Sequence, residues 1–471
     1  MTETTSTVSG SASSHAYGEL ISGLRSAFRS GRTRPYEWRR AQLEGLLRML
    51  DENEDELVRA VQGDLGRPEI EAFSADVGTV RVEIKHTLKH FASWMKPRKV
   101  SLPVTTMPGK GRVVPEPLGV ALVIAPWNYP IQLLVLPMAA ALAAGNCVVA
   151  KPSELAPASS AVLAQLIPRY LDDKAVAVVE GGVSDTTALL EQRFDHIFFT
   201  GSTRVGQVVM EAAAKHLTPV TLELGGKSPT IVAADADIDV AAHRIVWGKC
   251  LNAGQTCIAP DYVLAEASIR DALVDKMIAT IGEYYGPDPK KSPSFGRIIN
   301  RNHVARLQQL LTNHGGTLAT GGDVDLDERY VAPTILVDPD PSSQVMQEEI
   351  FGPILPVLSV EGIDDAVDFV VERPKPLALY VFSSSRDTVE DVLLRTSSGG
   401  ACVNHCVMHI LPSDLPFGGV GPSGMGAYHG QRGFDTFSHL KSVLYKPQKP
   451  DPKILYPPYT SFKQKLVHKV F

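Results

Sequence analysis

From Pro117 to about Gly424 the chain alternates short, β-rich apolar runs with helical stretches, and this alternation constrains the fold more than any other feature. In its first half the apolar runs are 120–125, 147–151, 175–179, 196–200 and 220–222, separated by helical stretches such as 131–144 and 205–216. Strands and helices that alternate at this spacing form βαβ units, whose parallel sheet is covered on both faces. The predicted fold class is α/β, and the first unit has the outline of a Rossmann-like dinucleotide-binding domain.

A second alternation runs from Ile231 to about Gly424. Its apolar runs include 230–232, 262–264, 335–337 and 379–382. It predicts a separate α/β catalytic domain over 226–426, with residues 223–226 at the junction. The first domain is then assigned to 17–98 and 118–225, with 427–440 returning to it.

Two short extended runs, 99–104 and 111–116, flank a turn signal, and 442–445 is a further candidate strand. Because an isolated hairpin is only marginally stable, we expect these segments to pair with each other or with another chain. They define a predicted small β arm over 99–117 and 441–450. Residues 1–16 are rich in Ser and Thr and are predicted to form a disordered leader.

Composition excludes several classes of function. The net charge of −6 offers no broad basic surface for nucleic acid, and no apolar run approaches the roughly 20 residues that span a bilayer. The five cysteines are scattered, which favours reduced thiols and a cytoplasmic location. No metal site is predicted, because Cys402 and Cys406, with His405 and His409, are closely spaced and lack a matching second pair.

The most suggestive turn for a phosphate lies at 198–206. The dinucleotide fingerprint Gly-x-Gly-x-x-Gly is absent after the first strand, but here a strand ends in Gly201-Ser202 and a helix containing Gly206 begins. Backbone N–H groups at such a helix N-terminus can approach a pyrophosphate. The spacing is common, so a plain strand-to-helix turn is the alternative.

A charged tetrapeptide, Lys151-Pro152-Ser153-Glu154, follows the second strand. At this place in a βαβ unit a carboxylate accepts hydrogen bonds from an adenosine ribose, and a lysine can donate to it. In that arrangement Glu154 would disfavour a 2′-phosphate. A solvated loop pair is the alternative interpretation.

The candidate nucleophile and base are Cys257, in a Gly-containing loop after Gln255-Thr256, and Glu223, between Leu222 and Leu224. A lone cysteine is more often a small core side chain than a catalytic thiol. A buried glutamate, however, is costly unless it is partnered or functional, and burial raises its pKa toward the range of a base for water. The alternative for Glu223 is a structural salt bridge.

Two further segments suggest roles at a site. Asn128 follows the first strand, and its amide can donate to a developing oxyanion; a turn-forming asparagine is the alternative. Glu349 and Phe351 pair a carboxylate with an aromatic ring, which suits a ribose and a flat cofactor. The alternative for them is a helix cap and a core phenylalanine.

Together these motifs occur in the order seen in the aldehyde dehydrogenase superfamily, which the chain resembles over nearly its whole length. The resemblance is carried by the segments 126–130, 151–154, 199–202, 222–227, 254–257, 348–353 and 416–419. The separation 257 − 223 = 34 residues also matches that of the family's catalytic glutamate and cysteine. Trp247-Gly248-Lys249, Ala259-Pro260-Asp261-Tyr262, Ser423-Gly424-Met425-Gly426 and the ending around Tyr428 to His439 resemble the class 3 branch, which includes fatty, aromatic and coniferyl aldehyde dehydrogenases.

The resemblance implies NAD and/or NADP as cofactor, a homodimer, and oxidation of a medium- or long-chain aliphatic or aromatic aldehyde to an acid. It also implies that the small β arm is a β oligomerisation arm. It implies that Cys257 forms a thiohemiacetal and then a thioester, that Asn128 stabilises the oxyanion, and that Glu223 activates the hydrolytic water. The cofactor-binding residues it implies are Pro126, Trp127, Lys151, Ser153, Glu154, Gly201, Ser202, Gly206, Leu224, Gly225, Glu349 and Phe351. Tyr129, Trp247 and Thr256 are implied to line the substrate funnel.

Three alternatives remain open from sequence. A coenzyme A-acylating semialdehyde dehydrogenase would keep the thioester but would not need Glu223. A non-redox cysteine hydrolase would leave the βαβ half unexplained. A non-catalytic binding or structural protein on the same fold is disfavoured by the set Asn128, Glu223 and Cys257.

Overall fold

The computed structural model describes the backbone of residues 8–470 and the side chains of residues 15–469. Its helices are α1 (Val8–Arg29), α2 (Tyr36–Glu52), α3 (Glu54–Leu65), α4 (Glu69–Glu71), α5 (Thr79–Trp94), α6 (Gln132–Ala144), α7 (Pro157–Tyr170), α8 (Val183–Leu190), α9 (Thr203–Ala214), α10 (Ile238–Cys250), α11 (Ala267–Tyr285), α12 (Arg301–Leu310), α13 (Gln344–Gln347), α14 (Ile363–Val371), α15 (Arg386–Arg395), α16 (Gly430–Thr436) and α17 (Ser461–Val470). A π-helix (Ala72–Gly78) lies between α4 and α5.

The strands are β1 (Arg98–Val100), β2 (Lys110–Pro117), β3 (Val120–Ile124), β4 (Cys147–Lys151), β5 (Val176–Val178), β6 (His196–Thr200), β7 (Val220–Glu223), β8 (Pro229–Val232), β9 (Tyr262–Glu266), β10 (Thr317–Thr320), β11 (Val324–Asp325), β12 (Tyr330–Val331), β13 (Thr334–Val337), β14 (Ile354–Val360), β15 (Ala378–Phe382), β16 (Gly400–Val403), β17 (Gly424–Met425) and β18 (Ser438–Tyr445). The predicted apolar runs all correspond to strands. The α/β fold class is therefore confirmed.

The first sheet has six strands in the order β17-β7-β6-β3-β4-β5. Strands β3 to β7 are parallel, and β17 is antiparallel to β7 at the edge. All residues of β3, β4 and β6 are buried, and alternate residues of β3 enter two different apolar clusters. This sheet is therefore covered on both faces, as a parallel sheet built from βαβ units must be.

The second sheet has seven strands in the order β10-β13-β14-β9-β8-β15-β16, all parallel except β10. One large apolar cluster extends from the first sheet into the second, from Val123 on β3 to Ile231 on β8 and Val381 on β15. The two α/β units therefore share a core along their contact. Their carboxyl-terminal strand ends and the loop after α10 form the cleft described below.

The predicted arm is a three-stranded antiparallel sheet, β1-β2-β18, in which β18 pairs with β2 along eight residues. The predicted pairing of the hairpin with the last strand is confirmed. Two boundaries differ from the prediction. Strand β17 returns the chain to the first sheet at Gly424 rather than 427, and β18 begins at Ser438 rather than 441.

The predicted disordered leader is wrong for its second half. Helix α1 begins at Val8, so residues 8–16 are helical, while residues 1–7 lie outside the described part of the chain. From Ile21 onward α1 packs against the first sheet through Ile21 and Leu24. Once that packed portion has formed, adding residues at its N-terminus avoids the cost of helix nucleation.

Candidate active site

The loop that carries Cys257 begins where α10 ends. Asn252, Ala253 and Gly254 all have positive φ, at 53°, 52° and 77°, which turns the chain sharply before the cysteine. A Cβ at Gly254 would collide with the carbonyl of Gly352, so only glycine fits this close approach. The turn places the half-buried Cys257 side chain in the cleft between the two α/β units.

Glu223 is the last residue of β7 and is 2% exposed. Neither carboxylate oxygen has a hydrogen-bond partner among the described residues. Burial raises the pKa of this carboxyl well above its usual value. A buried, unpartnered carboxyl fits a functional group better than the structural salt bridge considered from sequence.

Two cavities meet at these residues. The first has a volume of about 250 Å³ and the second about 240 Å³. Both are lined by Cys257, Glu223, Thr200, Leu133 and Leu224. A reactant in either cavity can therefore reach the cysteine and the glutamate.

The second cavity gathers most of the predicted cofactor-binding residues. Its lining includes Pro126, Trp127, Asn128, Gly201, Ser202, Leu224, Gly225, Glu349 and Phe351. The ring centroids of Trp127 and Phe351 are 5.4 Å apart in an edge-on arrangement. Segments more than 200 residues apart in sequence are thus brought together.

This cavity has features suited to a dinucleotide. Glu349 Oε1 is buried and has no hydrogen-bond partner among the described residues, which leaves it free to accept from a ribose hydroxyl. A Cβ at Gly225 would collide with the Glu349 carboxylate, so glycine keeps the cradle open. The residues present therefore fit a nicotinamide dinucleotide.

Four predicted cofactor residues lie outside the lining of this cavity. Lys151, Ser153 and Glu154 are at the end of β4, and Gly206 is in the first turn of α9, packed on Leu224. Lys151 is buried and its Nζ is 3.6 Å from Glu154 Oε2. Their predicted roles toward an adenosine ribose and the pyrophosphate stay predictions.

Four residues that line the second cavity were not predicted from sequence, namely Leu133, Thr200, His303 and Arg306. His303 packs its ring 5.0 Å from that of Trp127, and Arg306 donates to the carbonyls of Glu349 and Ile350 at 3.3 and 2.5 Å. His303 and Arg306 both lie on α12, in a segment with no recognisable motif. Arg306 holds the backbone that presents Glu349.

The first cavity has a predominantly apolar lining. Tyr129, Trp247 and Thr256, the predicted funnel residues, all contribute to it. The lining residues that sequence reasoning missed are Ser74, Ala75, Thr79, Gln132, Leu133, Thr200, Leu251, Ile258, Leu377, Val407, Met408, Ile410, Leu411, Phe417 and Tyr428. They are scattered along the chain from the π-helix to Tyr428, and most of them lie outside the recognised motifs.

Asn128 lies beside the nucleophile loop. Its Nδ2 donates to the carbonyl of Gln255 at 3.1 Å, and Tyr129 Oη is 2.6 Å from Thr256 Oγ1. These two contacts join the segment after β3 to the two residues that precede Cys257. The Asn128 amide is thus close enough to the cysteine loop to serve an oxyanion formed there.

The charges around Cys257 favour its neutral form. Burial, followed by the negative charges of Glu349 and Glu223, raises the pKa of this thiol to about 12. Burial, followed by the charge of Asp261, raises the pKa of Glu349 to about 7. In this structure the thiol is therefore protonated near neutral pH.

Within the described residues no group of three or more His, Cys, Asp and Glu side chains is arranged to hold a metal ion. His405 Nδ1, considered from sequence as a ligand, instead accepts from the Cys406 N–H at 2.9 Å. Across residues 8–470, no helix is both long and apolar enough to cross a lipid bilayer.

Comparison with known proteins identifies the family. The model of the "Aldehyde dehydrogenase family" matches residues 2–443. Mouse "Aldehyde dehydrogenase family 3 member A2" is 52% identical, over 93% of this chain and 91% of that protein. Rat "Aldehyde dehydrogenase, dimeric NADP-preferring" is 49% identical, over 91% of this chain and 94% of that protein.

A solved structure is similarly close. The substrate-bound state of Staphylococcus aureus AldH aligns with a TM-score of 0.93 and 41% identity, over 96% of this chain and 98% of that chain. An indole-3-acetaldehyde dehydrogenase in complex with NAD⁺ aligns with a TM-score of 0.85 and 28% identity, over 92% of this chain and 89% of that chain.

Proposed function

The chain belongs to the aldehyde dehydrogenase family and is an NAD(P)-dependent aldehyde dehydrogenase of the family 3 type, and we propose that it forms acids through a thioester on Cys257 that Glu223-activated water hydrolyses. The observation that carries this proposal is the meeting of two cavities at Cys257, beside the buried and unpartnered Glu223. One cavity suits the aldehyde and the other suits the dinucleotide.

The substrate we propose is a medium- or long-chain aliphatic or aromatic aldehyde. The lining of the first cavity is dominated by apolar side chains such as Leu133, Trp247, Ile410 and Phe417. Apolar surface lowers the free energy of an aldehyde chain by about 0.8 kcal/mol per buried methylene. A small, hydrated aldehyde would gain little from such a lining.

Acylation begins when Cys257 Sγ, as thiolate, attacks the aldehyde carbon and a C–S bond forms. The carbonyl π pair moves to oxygen, and that oxyanion accepts hydrogen bonds from Asn128 Nδ2 and the Cys257 backbone N–H. Bound NAD or NADP supplies the hydride acceptor. Loss of hydride from the carbon leaves a thioester on Cys257.

Deacylation uses Glu223. Its carboxylate takes a proton from water, the water oxygen attacks the thioester carbon, and the C–S bond breaks to return the thiolate and the acid. Because burial raises the pKa of Glu223, its carboxylate is a stronger base toward water than an exposed glutamate. Since both Cys257 and Glu223 act deprotonated and both pKa values are raised, the rate should increase as pH rises above neutrality.

The residues that would hold the cofactor fall into two groups. Glu349 and Phe351 would hold the nicotinamide ribose and ring, while Lys151 and Glu154 would hold the adenosine ribose. The remaining residues of the proposed site are Pro126, Trp127, Ser153, Gly201, Ser202, Gly206, Leu224 and Gly225. The buried acceptor Glu349 Oε1 and the glycine-lined cradle support the first group most directly.

The decisive variant is Glu223→Gln, which keeps the shape of the side chain but cannot act as a base. With hexanal or benzaldehyde and NAD, we expect up to one NADH per active site in a first turnover. Steady-state turnover should then fall by about 10²- to 10⁴-fold. Full steady-state turnover by this variant would contradict the role given to Glu223.

A matched control is Glu83→Gln. Glu83 is also buried, but its Oε1 accepts from the Gly430 N–H at 2.7 Å, a bond that glutamine can keep. This variant should retain steady-state activity. Coenzyme A added to the wild-type protein tests the acylating alternative, because an acyl-coenzyme A product would replace the free acid.

We also propose that the protein is a cytoplasmic homodimer built through its β arm. Strand β18 is an outer strand of the arm, and it exposes Leu440, Leu444 and Tyr445, which a second copy would cover. The rat relative is named as dimeric. All five cysteines are free, in keeping with a reducing compartment. Light scattering after size exclusion tests the dimer, and a monomer would contradict it.

A further inference from the structure

A buried arginine lies beside the nucleophile loop, outside every motif recognised in the sequence. Arg67 lies in the short connection between α3 and α4, and its side chain is 0% exposed. Burying a guanidinium is costly unless every part of it is partnered. Its partners therefore indicate what the residue is for.

The guanidinium divides its donors among three segments. Nη1 donates to Asp76 Oδ2 at 2.6 Å, Nε donates to Asn252 Oδ1 at 3.0 Å, and Nη2 donates to the backbone carbonyl of Asn128. Asn252 is in the turn that leads to Cys257. One planar group thus joins the segment of the proposed oxyanion donor to the loop of the proposed nucleophile.

Further contacts tighten the same junction. Asn252 Nδ2 donates to the carbonyls of Asn128 and Gln255 at 2.9 and 3.1 Å. Arg67 Cζ lies 4.5 Å from the centroid of the Tyr129 ring. Both sides of the junction are therefore held by side chains that also contact each other.

The anionic partner of Arg67 is fixed from the opposite side. Asp76 belongs to the π-helix, and its Oδ1 accepts from the N–H groups of Ile131 and Gln132 at 3.0 Å, at the start of α6. Carboxylates are favoured at helix N-termini. The π-helix, α6 and the Cys257 loop therefore share one buried polar network, and Arg67 lies at its centre.

We propose that Arg67 is a positioning residue that holds the Asn128 amide in register with Cys257, an inference that rests on the function proposed above. The guanidinium is planar and donates in several fixed directions, whereas an ammonium group is a compact donor on a flexible stem. Arg67→Lys therefore keeps the positive charge beside Asp76 but loses the link across the junction. A displacement of about 1 Å at reacting atoms costs about 10²-fold in rate.

The first test measures Arg67→Lys with saturating NAD and benzaldehyde. We expect kcat to fall by about 10²-fold, while KM for NAD changes less than about threefold, because the side chain lies outside the cofactor cavity. In an Asn128→Ala background the same substitution should lower kcat by less than about fivefold, since its effect acts through Asn128. Wild-type kcat, or an equal loss in both backgrounds, would overturn the proposal.

A second variant covers the case in which Arg67→Lys does not fold. Asn252→Gly leaves the Arg67–Asp76 ion pair intact and suits the positive φ of 53° at this position, but removes the side chain that links the two segments. We expect the same dependence on Asn128. Loss of kcat that is undiminished in the Asn128→Ala background would again overturn the proposal.

The matched control is Arg39→Lys. Arg39 is also buried and donates to the carbonyls of Thr33 and Ala143, neither of which lines the two cavities that meet at Cys257. It should lower the melting temperature but leave kcat unchanged. An equal kcat loss in this variant would assign the Arg67 effect to general loosening of the fold and overturn the proposal.

Hydrolysis of p-nitrophenyl acetate without cofactor separates this inference from the function on which it rests. Acylation of Cys257 by the ester needs the same oxyanion donor but no hydride transfer. If the wild-type protein hydrolyses the ester with the Arg67 and Asn128 dependence described, yet oxidises no aldehyde, the positioning role stands and the dehydrogenase mechanism fails. Aldehyde oxidation with ester hydrolysis insensitive to Arg67 would overturn the positioning role alone.

Discussion

The two cavities that meet at Cys257 differ in how they are built. The second cavity is lined by strand ends, glycines and two buried acidic side chains, Glu223 and Glu349, carried on a few short segments. The first is lined by apolar side chains from the π-helix region, α6, α10, and the loops around 407–411 and 417–428. The difference teaches that the proposed cofactor side depends on backbone geometry, while the proposed substrate side depends on side-chain volume. Substitutions on the proposed cofactor side should therefore change KM for NAD, whereas substitutions on the proposed substrate side should change KM for the aldehyde.

The largest effect is expected at the boundary shared by both cavities. Cys257→Ala removes the nucleophile, so we expect aldehyde oxidation to fall by at least about 10⁴-fold, as when other enzymes lose their nucleophile. Ester hydrolysis should be lost with it. Binding of NADH, measured by fluorescence, should remain because the second cavity keeps its other residues. Retained aldehyde oxidation would refute covalent catalysis by this residue.

Asn128→Ala is the next largest change. Loss of one preorganised oxyanion donor lowers kcat by about 10²- to 10³-fold in enzymes of this kind. Although Asn128 lines the second cavity, its proposed role is in chemistry, so KM for NAD should change little. A raised KM for NAD with a normal kcat would instead indicate that Asn128 binds the cofactor and does not stabilise the oxyanion.

Glu349→Gln tests the cofactor side in two ways. The variant loses a charged acceptor for a ribose hydroxyl, and a hydrogen bond to a charged group contributes about 1.5–3 kcal/mol. We therefore expect KM for NAD to rise by about 10- to 100-fold, with KM for the aldehyde nearly unchanged. An unchanged KM for NAD would contradict the proposed contact with the ribose.

The same variant has a pH-dependent effect on stability. Burial raises the pKa of Glu349 from 4.5 to about 7, so between these values the folded state binds more protons than the unfolded state. Its stability contribution is fully present below pH 4.5 and is lost as pH rises through about 7, a change of about 3 kcal/mol. Without cofactor, Glu349→Gln should therefore stabilise the protein more at pH 8 than at pH 5, measured by urea unfolding. A difference that is equal at both pH values would contradict the raised pKa.

Val407→Gly tests the substrate side. Val407 is buried against the first cavity at φ 67°, a backbone conformation that is rare for a β-branched residue. Removing the side chain loses about 1.5 kcal/mol of apolar contact, so KM for hexanal should rise about tenfold while KM for NAD stays constant. Because glycine relieves the backbone strain, the free energy of unfolding should fall less than for Val246→Gly, a buried helical control.

The contrast between the two cavities also explains which parts of the site could be predicted from the sequence. Cys257, Glu223, Asn128, Gly225 and Glu349 belong to contiguous motifs at strand ends and in the loops that follow helices, where a local pattern fixes the backbone. The structure brings them together. The strand pattern and the pairing of the arm were predictable for the same reason, because period and register are local properties.

The remaining parts of the site depend on tertiary packing. Arg67 and the residues 407–411 carry no local signal, since an arginine is usually exposed and apolar loop residues are usually core. Their roles follow only from which distant segments they contact, as when Arg67 meets Asn128 and Asn252. The same dependence on tertiary packing explains why the prediction of a disordered leader was wrong for residues 8–16. Their composition is polar, but they extend α1, which packs on the first sheet.

The smallest effect is expected at Glu154, which lies outside the second cavity and is 42% exposed at its side chain. Its carboxylate is 3.6 Å from Lys151 Nζ, so it partly neutralises the cation that would otherwise attract a 2′-phosphate. Glu154→Gln should therefore raise kcat/KM for NADP relative to NAD by about three- to tenfold at low salt and by less at high salt, because exposed charges are screened. Glu211→Gln, an exposed acid on α9, should leave the ratio unchanged. An unaltered ratio in the Glu154 variant would place the adenosine ribose elsewhere, and the proposed cofactor side would then end at Gly201 and Ser202.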